Sequence, residues 1–252
     1  IRESKNNAQA MVILVTAKAN TALYQKYGKA LKLAFPEIQS IFHSLNTSQG
    51  DHTFPYKLSL LEGATHITET LGALQFNISP YSFFQTNSHG AEVLYKEICE
   101  AAQVTKTDTV LDLYCGTGTI GLYLAPHVKF VTGIEEVESA TEDAHRNAQM
   151  NQIQNIRFIT GNVKNILKQT PITANIIIMD PPRAGIAPKA LRRIIGLRAK
   201  KIVYVSCNPN TMARDLEQLE ESGYTVQSMR LMDMFPNTYH VETITVLTHN
   251  FA

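Results

Sequence analysis

At 252 residues with 44% apolar side chains, the chain is long enough to bury a real core, and no apolar run approaches the ~20 residues that a transmembrane helix needs. A formal net charge of +1 gives no global argument for or against a polyanionic partner. Cys99, Cys115 and Cys207 are odd in number and lack CxxC spacing, so neither a disulfide framework nor a metal site is expected; free thiols in the cytoplasm fit better.

Met11 to Val15 reads as a β run, Thr21 as the cap of a helix that Pro36 ends, and residues 38–45 and 57–74 as further strands. These predict a small α+β domain over 1–80. The turn-like, aromatic stretch 79–87 then gives way to helical apolar spacing at Val93, Leu94, Ile98 and Ala101. A second domain is expected over 81–252.

From residue 108 strands and helices alternate. Seven candidate strands, at 109–113, 129–134, 156–160, 175–179, 201–206, 224–231 and 241–248, are Val/Ile-rich and barely alternating, as double-sided burial requires. The fold class predicted is α/β, with a doubly wound, mostly parallel seven-stranded sheet preceded by the small α+β domain. Ligands of such sheets bind outside the carboxyl ends of the strands. Four of those ends carry unusual residues.

The first is DLYCGTGTIG (112–121), where Gly116 and Gly118 permit a tight turn and a helix N-terminus follows. The second is Glu135, about twenty residues on, whose carboxylate suits a ribose. Both features also fit a dinucleotide oxidoreductase using NAD, because GxGxxG is satisfied. The fourth strand ends in Asp180-Pro181-Pro182-Arg183, a rigid extended ledge suited to lining a slot for a planar ring. The fifth delivers Cys207, followed by Asn208-Pro209, to the same rim; a lone cysteine also packs as a small hydrophobe.

SFFQTN (82–87), DLYCGTGTIG, GIE (133–135), MDPPRAG (179–185), IVYVSCNP (202–209) and MFPNTYHVE (234–242) occur in the order and spacing of the RNA uracil-C5 methyltransferases. Over roughly residues 70–250 the chain resembles that family, whose members make 5-methyluridine in tRNA and ribosomal RNA. The resemblance implies a Rossmann-like methyltransferase fold and S-adenosylmethionine as the ligand of the glycine turn. It implies Cys207 as the nucleophile on uracil C6 and Glu242 as the base that removes the C5 proton. Cofactor contacts are implied at Gln85, Tyr114, Thr119, Glu135, Asn162 and Asp180, with Thr119 standing where an Asn is frequent in the family. The implied partner is RNA, ribosomal RNA being preferred over tRNA.

Many members carry an N-terminal RNA-binding β-barrel and a four-cysteine iron–sulfur site, and these residues encode neither. A reduced branch or a fragment of a longer chain is therefore expected. Residues 189–201 hold six basic and no acidic residues, either a grip for phosphates or a solvated helix face. Phe83, Phe84 and Tyr239 are candidates for stacking on bases, or for a core. A non-catalytic RNA-binding module is the remaining alternative, with intact Cys207, Glu242 and Asp180 against it.

Overall fold

The computed structural model describes residues 1–47 and 57–249. Its contacts divide the chain into two units, Ile1–Ser88 and His89–Ala252, each taken by itself.

In the first unit, β1 (Arg2–Ser4), β2 (Gln9–Thr16), α1 (Thr21–Ala34), β3 (Ile38–Leu45) and β4 (Lys57–Gly63) build a four-stranded sheet in the order β1-β2-β3-β4, with β2 and β3 parallel across the helix. The helix is capped one residue earlier than the sequence suggests: Asn20, not Thr21, accepts the Leu23 N–H at 3.1 Å. Either residue type satisfies a free helix N–H, and the asparagine holds the required non-helical position. β5 (Ile67–Leu71) and β6 (Leu74–Ile78) form a hairpin. Glu69, fully buried on β5, accepts from the Ser4 and Ser88 hydroxyls at 3.1 and 2.5 Å and from the Lys5 and Asn6 backbone N–H groups. Four residues distant in sequence are thereby tied to one carboxyl, which makes its burial tolerable.

The second unit takes α2 (Ser88–Ala102), β7 (Thr109–Leu113), α3 (Thr119–Leu124), β8 (Phe130–Glu135), α4 (Glu138–Met150), β9 (Ile156–Thr160) and α5 (Val163–Gln169) in turn. It continues with β10 (Ile176–Met179), α6 (Pro188–Gly196), β11 (Lys201–Ser206), α7 (Pro209–Glu221), β12 (Thr225–Met232) and β13 (Glu242–Thr248). One seven-stranded sheet results, in the order β12-β13-β11-β10-β7-β8-β9, parallel from β11 to β9 and antiparallel at β13 and β12. This is the doubly wound, mostly parallel sheet expected. The Ile176–Met179 run is buried at every position, and one face packs Leu111, Ile177, Ile202 and Tyr204 against the apolar sides of α6 and α7 through Leu191, Ile194, Met212 and Leu219. A continuous apolar strand is the natural consequence of helices covering both faces.

The chain leaves β7 toward β8 and β9 on one side, then returns to lay β10 on the other. That reversal opens a crevice at the carboxyl ends of β7 and β10. The register aligns the ends closely: Leu113 sits opposite both Ile134 and Met179, and Met179 opposite Tyr204. β13 runs backwards, so it begins, at Glu242, on the edge where β11 finishes. No helix among the described residues is long and apolar enough to cross a membrane.

Candidate active site

Six strand ends and one strand start, that of β13, meet at this rim. After β7 the backbone turns sharply through Tyr114, Gly116 and Gly118, at φ of 62°, 54° and 80°. The left-handed region is free for glycine but strained for tyrosine, so Tyr114 is held there by its surroundings; its ring packs on the core beneath. A Cβ on Gly118 would lie 2.7 Å from the Phe158 ring, whereas at Gly116 nothing lies within 4 Å. Gly118 is therefore needed for packing, and Gly116 faces open space.

Glu135, the last residue of β8, shapes this turn. Its Oε2 accepts the Gly116 N–H at 3.0 Å and its Oε1 the Val137 N–H at 2.8 Å, leaving each oxygen a further lone pair for hydroxyl donors. Beneath it Asp112 is fully buried; Oδ2 accepts the Gly121 N–H at 2.9 Å, and Oδ1 has no hydrogen-bond partner. Loss of water pushes the Asp112 carboxyl up to about 7, against the Gly121 hydrogen bond and helped by the charge of Glu135. Thr119 is the first residue of α3.

On the far side of β8, Asn162 follows β9 and caps α5, accepting the Lys164 N–H at 3.1 Å and donating to Glu136 Oε2 at 3.2 Å. Its turn-forming role is thus realised.

Asp180 follows β10 and its backbone N–H reaches the Leu113 carbonyl at 3.3 Å, which carries the ladder one step past the strand. Its carboxyl is pushed up to about 8, first by desolvation and then by the charges of Glu242 and Asp112. Cys207 follows β11 as a half-buried free thiol. The next residue, Asn208, caps α7 by accepting the Asn210 N–H, Pro209 starts the helix, and the Ser206 hydroxyl accepts the Asn208 N–H at 3.1 Å. The thiol is raised above its ordinary range by burial and by the charges of Glu242 and Asp180, while Arg183 favours the thiolate. Glu242, 5% exposed, is raised by burial to about 7. Three carboxyls that resist ionisation thus surround the turn and the thiol. Clusters of this kind mark functional sites more often than structural ones.

A network absent from the sequence reading locks two of these segments together. Asp215 of α7, fully buried, accepts the Tyr204 hydroxyl at 2.9 Å and the Ile186 N–H at 2.8 Å, and pairs with Arg214 at 2.8 Å. Arg214 also donates to the Ala184 and Ile186 carbonyls, and Asn208 and Thr211 donate to that of Arg183. The helix that begins beside Cys207 therefore grips the loop that begins at Asp180. The aspartate holds the i+3 place in the inward stripe of Met212, Leu216 and Leu219, a signal that the sequence reading passed over. Asp112 carries a signal too, a charge inside the buried run TVLDL.

Gln85 belongs to the first unit, where it is buried. Phe84 is a core residue of the same unit, 5.8 Å from Phe76, so it is no surface stacking group; Phe83 and Tyr239 are exposed. The aromatic density of SFFQTN serves packing at one position and leaves the neighbour free.

Residues 65–250 match the model of the family described as tRNA (uracil-5-)-methyltransferase. An uncharacterized RNA methyltransferase of Clostridium tetani is 43% identical over 97% of this chain and 54% of its own length. One from Caldanaerobacter subterraneus subsp. tengcongensis is 40% identical over 98% of this chain and 55% of its own. The chain thus spans about half the length of the curated relatives it matches. Among solved structures, the Pyrococcus abyssi tRNA (uracil-54, C5)-methyltransferase in complex with S-adenosyl-L-homocysteine is similar, with a TM-score of 0.79 and 33% identity over 98% of this chain and 58% of that one. Trm5b from Pyrococcus abyssi, with a TM-score of 0.65 and 14% identity over 96% of this chain and 73% of that one, shares the fold alone.

Proposed function

The chain belongs to the tRNA (uracil-5-)-methyltransferase family, and on that premise we propose that it transfers a methyl group from S-adenosylmethionine to C5 of a uridine in RNA. The observation that carries the reading is that Cys207 directly follows Ser206 and Glu242 directly precedes Thr243, the last antiparallel pair of β11 and β13, on the sheet edge that also holds Glu135 and Asp180.

The residues present fit the cofactor. The Gly116 turn faces open space, Glu135 keeps acceptor capacity toward ribose hydroxyls, and Asp112 and Asp180 place carboxyls below and beside it. Tyr114, Thr119 and Asn162 border the same turn and strand ends, and Gln85 joins the proposal from the first unit. When bound, S-adenosylmethionine supplies a methyl group on a positively charged sulfur, open to in-line displacement.

Uracil C5 is too weak a nucleophile to take that methyl unaided. In the proposed route the Cys207 thiolate adds to C6, its electron pair forming the S–C6 bond while the C5=C6 pair moves onto C5 as an enolate. C5 then takes the methyl and still bears its hydrogen. Glu242, ionised above about pH 7, accepts that proton; the C5–H pair restores the double bond and the S–C6 bond breaks, returning the thiolate. Arg183 is the resident charge that favours the thiolate at the first and last steps.

Between the two expected divisions of the chain, 1–80 is proposed to help hold RNA and 81–252 to carry the chemistry, in the cytoplasm. The RNA class stands between the tRNA of the family's description and the ribosomal RNA preferred in the sequence reading. The test incubates the chain with methyl-labelled S-adenosylmethionine and total RNA and identifies the labelled nucleoside and its RNA by mass spectrometry. Label in 5-methyluridine is expected; label in any other nucleoside overturns the reading.

A further inference from the structure

α5 and α6 lie side by side on one face of the sheet, and a groove of about 620 Å³ between them is lined by Lys164, Asn165, Lys168, Lys189, Arg192 and Arg193. Five cations and an amide line it, with no carboxylate. None of the five charged side chains has an ion-pair partner among the described residues. The amphipathic build of these helices explains why the cations point outward, since Val163, Ala190, Leu191 and Ile194 fill the core on the other side. It does not explain why acids are missing. Three helices of the same unit mix signs: Arg146 of α4 meets Glu142 and Asp143, Lys96 of α2 meets Glu100, and Arg214 of α7 meets Asp215, whereas α1 of the first unit carries lysines alone but no such groove among the described residues. Uncompensated like charges repel one another, and a bound polyanion reverses that sign.

The groove also has a definite place. α5 starts directly after Asn162 and α6 starts eight residues after Asp180, so Lys164 and Lys189 lie in the first turns of helices that run away from the rim. A strand whose base is held at the rim has these cations beside its flanking phosphates. Regularly spaced negative charge, rather than a single anion, matches cations spread over two turns of two helices.

We propose that the α5–α6 groove is a docking track for the phosphates of the RNA strand flanking the target uridine. The inference rests on the methyl-transfer reading, and its test separates the two. Binding of a fluorescein-labelled, mixed-sequence 20-nucleotide RNA is followed by anisotropy against KCl concentration. The variants are Lys189→Gln/Arg192→Gln/Arg193→Gln, Lys164→Gln/Lys168→Gln, and a control, Lys106→Gln/Lys129→Gln. The control removes two exposed charges from the opposite edge of the sheet, before β7 and β8.

Each phosphate contact to a single strand contributes about 0.7 to the slope of log affinity on log salt, so the triple α6 variant is expected to flatten it by about 2 and to weaken binding roughly a hundred-fold near 0.1 M salt. The α5 pair is expected to flatten it by about 1.4, and the control to leave it unchanged. The KM for RNA rises in both groove variants while kcat at saturating RNA holds. Wild-type slopes in both groove variants, or equal flattening in the control, overturn the groove while 5-methyluridine formation by the unaltered chain leaves the methyl-transfer reading intact. Label in another nucleoside overturns the methyl-transfer reading whatever the slopes.

Discussion

Cys207 and Glu242 occupy opposing positions one step beyond Ser206 and Thr243, the last antiparallel pair of β11 and β13. One strand delivers the thiol as it ends and the other delivers the carboxyl as it begins. Ser206 is tied to that partner strand twice, by the register and by the Thr243 hydroxyl donating to its carbonyl at 3.1 Å. Proximity also couples their protons, since the charge of Glu242 disfavours the Cys207 thiolate.

The two residues are expected to fail differently. Cys207→Ala should bind S-adenosylmethionine normally yet form neither product nor adduct. Glu242→Gln should lose about 10²–10⁴-fold in turnover, the usual worth of a positioned base, and accumulate a protein–RNA adduct that survives denaturing electrophoresis. Methylation by Cys207→Ala would exclude the covalent route.

Stability should fall as pH rises through neutrality. Asp112, Glu242 and Asp180 hold their protons in the fold to about 7, 7 and 8, whereas an unfolded chain releases them near 4. Between those limits the folded state binds more protons, so the stability present below about pH 4 is progressively lost up to about pH 8. Urea midpoints should therefore be lower at pH 8 than at pH 5.5, and Asp180→Asn should shrink the difference. A midpoint that rises over this interval would mean that the carboxyls are ionised and hydrated in the fold.

The Asp215 network should be costly to break. Asp215→Ala strips the Tyr204 hydroxyl and the Ile186 N–H of their acceptor and leaves the Arg214 guanidinium without its buried partner. A loss of about 2–4 kcal/mol is expected in chemical denaturation. Asp215→Asn, which keeps an acceptor, should lose less; equal losses would show that charge rather than hydrogen bonding does the holding.

Gly133 is a packing constraint under the glycine turn. A Cβ there would stand 2.6 Å from the Phe158 ring and 2.9 Å from Cys115 Sγ. Gly133→Ala is expected to cost about 1–3 kcal/mol through overpacking and to weaken S-adenosylmethionine in calorimetry, because Cys115 belongs to the turn. Unchanged calorimetry together with lowered stability would separate the turn from the strand beneath it.

Much of this was legible in the sequence because the constraints are local. Buried parallel strands cannot alternate, so their apolar runs announced themselves, and each ended within a residue or two of its observed limit. Glu135, Asp180 and Cys207 stood out because polar residues at the ends of such runs have few structural reasons to be there. Glu242 was different: it opens a strand near the end of the chain, and only the resemblance singled it out before the register set it against Cys207. The alliance of α5 with α6 could not be read from spacing, since helix polarity says which side faces out and not which neighbour it faces; Asp215 could have been, because it shares the inward stripe of Met212, Leu216 and Leu219. Phe84 shows the converse limit, an aromatic beside a near twin with the opposite burial.

β13 follows β12 in sequence yet lies between β11 and β12, and β12 reaches the sheet through it. During synthesis, a nascent chain that has emerged as far as β12 carries Cys207 but not the residue proposed to release it. Such a chain has an unfinished sheet edge and a nucleophile without an exit. Insertion of β13 closes the edge and supplies the proposed proton acceptor in one event, so turnover by the proposed route waits on β13 and not on the strands before it.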